Sequence, residues 1–206
     1  MRVIYDALSL VPNQKSKISN HKVIAMDAKS EIRNQKSEIN SARILGVDTS
    51  LRSTGLGLIS MRGSRLEVVE HALVKNQPDR SLSQCLGHLH AAITEILERG
   101  KPGVAAIESI FFCKNVRTAV ILGEARGVVI AACAAAGVPV FEYSPRRVKQ
   151  AVVGFGGAGK DQVIRMVTSL LGLREAPPED AADALAIAIC HAHAGKYMAL
   201  MDTKEI

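Results

Sequence analysis

From Arg43 onward, apolar and polar residues follow regular periods. Arg43 to Asp48, Gly55 to Met61 and Leu66 to Val74 are short apolar runs joined by glycine-containing or charged turns, which predicts three consecutive strands in a meander. Leu82, Leu86, Leu89, Ile93 and Ile96 recur at helical spacing, and Gly100 and Pro102 end that helix. A buried strand is expected at Val104 to Glu108. Thr118 to Ala136 is Ala-rich and apolar on almost every face, the pattern of a central helix packed close to a sheet. Val138 to Phe141 reads as a fifth strand. Ser144 and Pro145 then suit the N-cap and first position of another helix, with further helices from about Gly159 to Leu171 and Glu179 to Ala194. The order βββαβαβααα describes an α/β sheet with helices on its faces.

Residues 1–42 break this regularity. NQKS occurs at Asn13 to Ser16 and again at Asn34 to Ser37, amid Ser, Asn, Lys and Ile, so this extension is expected to be disordered. The folded domain is expected over residues 43–195, with a flexible tail at 196–206. A chain of 206 residues that is 48% hydrophobic can bury one substantial core, and one domain with appendages fits that length. The net charge is +6, and the extension, with seven basic and four acidic residues, carries half of it. This balance favours a polyanionic partner, while leaving the folded part only weakly basic. Cys85, Cys113, Cys133 and Cys190 are widely spaced with no CxxC pair, which suggests neither a zinc site nor a disulfide framework and fits a reducing cytoplasm. The most apolar stretch, Val116 to Val140, is interrupted by Arg117, Glu124 and Arg126, so neither membrane insertion nor export is expected.

Carboxylates at element ends carry the candidate chemistry. Asp48 ends the strand RILGVD and Glu108 ends VAAIE, and the two emerge at one sheet edge if their strands are neighbours. Asp180 and Asp183 stand at i and i+3 in the first turn of an apolar helix, on one face. Singly, each has an ordinary reading as a turn former, a solvated strand end or an acid offsetting the helix dipole. Together they supply hard oxygen ligands on a rigid apolar scaffold, as one or two divalent cations require.

The segments GVDTSLRSTGLGLI, AIESIFFCKN, LGEARGVVIAA, VFEYSPRRVKQAVVG and DAADALAIAICH resemble the successive signature blocks of the RuvC resolvase family, from about Arg43 to Ala194. The resemblance implies an RNase H-like fold: a mixed five-stranded sheet, three-strand meander plus parallel strands, flanked by helices. It also implies a magnesium-dependent endodeoxyribonuclease. Such an enzyme acts as a homodimer in recombination and repair, cutting opposed strands of a four-way (Holliday) junction symmetrically. Asp48, Glu108, Asp180 and Asp183 fall on the family's acidic positions, as catalytic residues and ligands for one or two Mg²⁺ per subunit, with Mn²⁺ as a substitute. Asp48, Glu108 and Asp183 would be the main ligands, with Asp180 close by. Lys149 and Lys160 match basic positions near the family's site, Phe111 matches an aromatic beside it, and the RuvA–RuvB branch-migration complex is the implied protein partner. Thr49 and Ser50 depart from the Pro and Gly found there in many members.

Other features read more plainly. GFGGAGK, Gly154 to Lys160, satisfies the first part of a phosphate-binding loop, but Asp161 replaces the magnesium-binding Ser or Thr and the segment follows a helix. A loop presenting Lys160 to a DNA phosphate fits better. Arg146, Arg147 and Lys149 lie on one short helix, either as a solvated face or as a grip on the DNA backbone, where Arg146 and Lys149 are assigned. Phe111, in a chain with 3% aromatic residues, is either core or a wedge against an unpaired base. His88, His90, His191 and His193 are read as structural or surface residues, the last two pointing to different helix faces. An actin-type ATPase is a competing reading of GVDTSLRSTG, disfavoured because no second such domain appears. A junction-binding protein without nuclease activity is another, opposed by the complete acid set.

Overall fold

A computed structural model of the chain describes residues 42–110, 115–194 and 205–206. Its elements are β1 (Ala42–Asp48), β2 (Ser53–Arg62), β3 (Arg65–Lys75), α1 (Leu82–Gly100), β4 (Val104–Glu108), α2 (Val116–Ala135), β5 (Val140–Tyr143), α3 (Pro145–Val153), α4 (Lys160–Leu170) and α5 (Glu179–Ala194). The order is the one the hydrophobic pattern predicts. One five-stranded sheet runs β3-β2-β1-β4-β5, antiparallel from β3 to β1 and parallel from β1 through β4 to β5. The meander and the parallel half thus share β1 as their hinge line.

Strand pleating divides the core between the two faces. Ile44, Ile59, Ala106 and Tyr143 pack with α3, α4 and α5 on one side. Leu45, Val47, Leu56, Leu58 and Ile107 pack on the other with Leu89, Ile93 and Ile96 of α1 and Val129 and Cys133 of α2. Burial on both faces explains the unbroken apolar run of β1.

The helix lying closest on the sheet is α5, not α2 as the Ala-rich pattern suggests. Of its 16 residues, 12 are buried. A glycine track on β1 and β2 makes room for it. Gly46 and Gly57 are cross-strand partners, with Gly55 beside them opposite Asp48. A methyl group at Gly46 would overlap the Ala184 carbonyl oxygen, one at Gly55 the Asp180 carbonyl oxygen, and one at Gly57 would stand 2.8 Å from the Leu185 nitrogen. Helix backbone and sheet therefore touch without intervening side chains. In α2 only Ala125, Val129, Ala132 and Cys133 are buried, while Val116 is 78% and Val120 54% exposed. By length and composition α2 is long and apolar enough to cross a membrane. Here it packs beside α1, and Arg126 ties it to the sheet through an ion pair with Glu142 at 2.7 Å.

The fifth strand begins two residues later than its apolar run. The end of α2 closes in a Schellman turn: Gly137 adopts φ 70°, its N–H donates to Ala134 O, and Val138 N–H donates to Cys133 O at 2.9 Å. Val138 is thereby committed to the helix cap. Pro139 has no N–H for the ladder, though its carbonyl accepts from Ala105 N–H at 2.9 Å. At the carboxyl end, Glu205 bridges Phe141 and Ile206 N–H donates to Val140 O at 3.1 Å. The extension expected over 1–42 lies outside the described residues except for Ala42, which opens β1.

Candidate active site

Parallel pairing of β1 with β4 sets Val47 against Ile107, so Asp48 and Glu108 leave the sheet side by side. Both follow the face shared by Ile44, Gly46 and Ala106, the face α5 covers. Direct contact of α5 with the glycine track brings its first turns to that same edge. Asp48, Glu108 and Asp183 consequently line one cleft of about 320 Å³, together with Lys149 of α3 and Lys160 of α4. Pro145, Val148, Val163 and Ile187 form its apolar walls.

Crowding of acids in an apolar cleft disfavours their charged forms. Burial, then the charges of Asp183, Glu108 and Asp180, push Asp48 up from 3.8 to about 7, with Lys160 pulling the other way. Glu108 is raised by burial and by Asp183, and Lys149 opposes this. Asp183 is raised chiefly by burial, against the lowering effect of Lys160, with Glu179 and Asp180 raising it further. Three carboxylates held in low dielectric, with more negative charge than the nearby lysines offset, are a donor set suited to a hard cation. The donors therefore fit a divalent ion. Among the described residues no three acids stand close enough to enclose one ion in this conformation.

Asp180 sits beside the cleft, not in its wall. Its carboxylate accepts a hydrogen bond from Ser53 Oγ, and its carbonyl lies over Gly55. Lys160 is not a free cation, because its ammonium pairs with Glu179, which raises its pKa. Arg146 is exposed and lines a neighbouring groove. Arg147 stacks over the Tyr143 ring, 5.1 Å from its centroid. Phe111 lies outside the described residues.

The turn at Thr49 and Ser50 is closed by Thr54, whose Oγ1 donates to Ser50 O and accepts from Ser50 N–H at 3.2 Å. Asn76 holds the next residues, donating from Nδ2 to Leu51 O at 2.8 Å and from its backbone N–H to Arg52 O at 3.0 Å. A side chain at the base of β2 thus does the work of a Pro-Gly turn. Thr49 Oγ1, next to Asp48, is buried without a hydrogen-bond partner.

Three of the described histidines have partners away from the acids. His191 is buried against Tyr143, whose hydroxyl lies 2.7 Å from Nδ1, and burial lowers its pKa to about 4. His193 Nδ1 faces Ala151 O at 3.1 Å, and His88 Nδ1 faces Asn76 Oδ1 at 2.9 Å. Cys85, Cys133 and Cys190 are buried free thiols.

Two supporting groups escape a reading based on motifs. Ser53 orients Asp180 as described. Arg126 reaches from α2 to the end of β4, donating from Nη1 to the Glu108 carbonyl at 2.6 Å and from Nη2 to Glu142 at 2.7 Å. With Ser109 N–H donating to Tyr143 O at 2.8 Å, it fixes the backbone that carries Glu108. The one signal in the sequence is an arginine in the middle of an Ala-rich, largely apolar helix, where a partly buried guanidinium needs a partner.

Comparison with known proteins accords with this geometry. The family model for crossover junction endodeoxyribonuclease RuvC matches residues 44–191. A crossover junction endodeoxyribonuclease RuvC of Pelotomaculum thermopropionicum is 49% identical over 147 residues, covering 71% of this chain and 90% of the relative. Among solved structures, Thermus thermophilus RuvC in complex with Holliday junction substrate superposes with a TM-score of 0.75 at 36% identity, covering 80% of this chain and 99% of that one. The yeast mitochondrial Holliday junction resolvase Ydc2 shares the fold, with a TM-score of 0.55 at 14% identity over 84% of this chain and 89% of that one. The chain belongs to the RuvC family of crossover junction endodeoxyribonucleases.

Proposed function

We propose that this protein resolves four-way DNA junctions by paired, symmetric phosphodiester hydrolysis, in homologous recombination and repair. The observation that carries the reading is the convergence of Asp48, Glu108 and Asp183, from three separate elements, on one cleft rimmed by Lys149 and Lys160. Asp48, Glu108 and Asp183 would hold one or two Mg²⁺, or Mn²⁺ in substitution, with Asp180 completing the set. The chemistry such an ion would supply at these carboxylates is activation of the attacking water and stabilisation of charge on the phosphate and leaving oxygen. The chain's own contribution is to position and desolvate. Rigid strand ends aim two carboxylates, Ser53 orients Asp180, and Arg126 anchors the backbone of Glu108. Lys149 draws a phosphate oxygen to the rim, and Lys160 can exchange Glu179 for a second one.

A homodimer suits a twofold-symmetric junction, since two copies of one site meet two equivalent strands. Support comes from α2. Its exposed side presents Val116, Val120, Gly127, Ala131 and Ala134, a face of small and apolar residues on which a second copy of the helix can approach closely. We assign residues 1–42 an accessory role outside the nuclease domain at 43–195, and Phe111 the role of a base wedge that the family resemblance implies. The RuvA–RuvB branch-migration complex is the proposed partner and the cytoplasm the proposed location.

The test is incubation of the full chain with a labelled synthetic four-way junction, with Mg²⁺ and with chelator. Paired symmetric nicks that require Mg²⁺ are expected. Binding without cutting in either condition would replace the nuclease with a non-cleaving junction-binding protein.

A further inference from the structure

Across the α3 ridge from the acid cleft lies a second hollow, of about 370 Å³, lined by Arg146, Gln150, Gly154, Phe155, Gly156 and Gly157. Pro145 and Lys149 face the acid cleft, and their chain neighbours Arg146 and Gln150 face this groove. The two hollows are therefore adjacent. Phe155 is one of four phenylalanines in the chain, and its side chain is displayed to solvent, 66% exposed. The loop around it is shaped to hold it there. A methyl group at Gly157 would stand 2.7 Å from Cζ of Phe155, and one at Gly156 would stand 2.6 Å from Cγ of Arg146. The aromatic ring and the arginine stem thus rest on bare backbone, which any side chain at 156 or 157 would displace. Both ends of the loop are pinned. Gly154 takes φ 83° and its N–H donates to Gln150 O at 2.9 Å, while Ala158 is buried and its N–H donates to Phe155 O at 3.2 Å.

We propose that this groove seats one nucleotide of the DNA strand that runs through the acid cleft. Phe155 stacks on the base or sugar, and Arg146 takes the adjoining phosphate. The occupant follows from the lining: an exposed ring, a guanidinium, an amide at Gln150 and no carboxylate form a surface for a flat group tethered to an anion. With Arg146 on one side of the ridge and Lys149 and Lys160 on the other, the basic groups trace a path for a phosphate backbone. A π face accepts every base, so the contact adds affinity and register without sequence choice. This inference rests on the proposed junction cleavage and extends it to a contact outside the acid cleft.

Junction binding by the full chain in chelator, measured by fluorescence anisotropy over a salt series, tests it with Phe155→Ala, Phe155→Leu, Phe155→Tyr and Arg146→Ala. Phe155→Ala is expected to weaken binding about tenfold, the effect of losing one stacked base. Phe155→Tyr should restore most of that affinity and Phe155→Leu little, since the stack needs a ring. Arg146→Ala should lower the slope of log affinity on log salt by about one phosphate contact, and Phe155→Ala should not change it. Wild-type affinity in Phe155→Ala, or full rescue by leucine, would overturn the proposal, the second pointing to an apolar protein contact. Wild-type cleavage with Mg²⁺ is the control. If the wild type does not cut, the resolvase reading fails; if it cuts while Phe155→Ala binds normally, only this inference falls.

Discussion

Replacing the central carboxylate should make the protein inactive and more stable. Asp48 is half-buried among three other acids, and its pKa is pushed from 3.8 to about 7. A tenfold change in proton affinity is worth 1.36 kcal/mol, so keeping Asp48 charged costs the native state up to about 4 kcal/mol. Hydration of the open cleft relieves part of this, and we expect about 2 kcal/mol to be measurable. The direction follows from proton counting. Because the folded pKa lies above the unfolded one, the native state binds more protons between pH 3.8 and about 7, and stability falls as pH rises through that window. Asp48→Asn removes the charge at nearly constant shape. In chelator at pH 8 the variant should be about 2 kcal/mol more stable than wild type, roughly 4–8 °C in Tm for a chain of this size. Below about pH 3, where Asp48 is protonated in both states, the two should unfold together. Added Mg²⁺ should stabilise the wild type and leave the variant nearly unmoved. The assay is thermal or urea unfolding at a series of pH values, with and without metal. Equal stability at pH 8, or an advantage of the variant that is the same at about pH 3, would refute the reasoning.

Glu108→Gln should abolish junction cleavage while leaving binding in chelator within a few-fold of wild type, and near-normal nicking would remove Glu108 from the site. Lys149→Ala should weaken junction binding and lower its salt slope by about one phosphate contact; an unchanged slope would count against direct contact. Arg126→Met keeps the apolar stem but loses both hydrogen bonds at the Glu108 end of β4, so cleavage should fall at least about tenfold with junction binding intact, and Arg126→Lys should recover part of it. Gly46→Ala should destabilise the fold by about 3 kcal/mol through overlap with α5. By contrast Gly87→Ala, at an open position on α1, should stabilise by up to about 1 kcal/mol in denaturant titration.

The elements and their order were legible in the sequence because strand and helix periods are written within windows of a few residues. Val104 to Glu108 and Glu179 to Ala194 appear at their predicted bounds. The acids were legible too, since a carboxylate closing an apolar strand is a local contrast. What depended on tertiary structure is which surfaces meet. The apolar pattern of α2 and α5 looks alike, yet only α5 finds the methyl-free track of Gly46, Gly55 and Gly57, and that contact carries Asp183 into the cleft. The same holds for the shift of β5, where capping and strand pairing compete for Val138. It holds again for Arg126, whose partners lie 18 and 16 residues away. The raised pKa of Asp48 has no local cause at all. It arises first from the burial that assembling three apolar elements creates, and then from the charges of Asp183 and Asp180 on α5 and Glu108 on β4. Local periodicity specifies each piece; long-range contact decides the electrostatic field that the assembled pieces share.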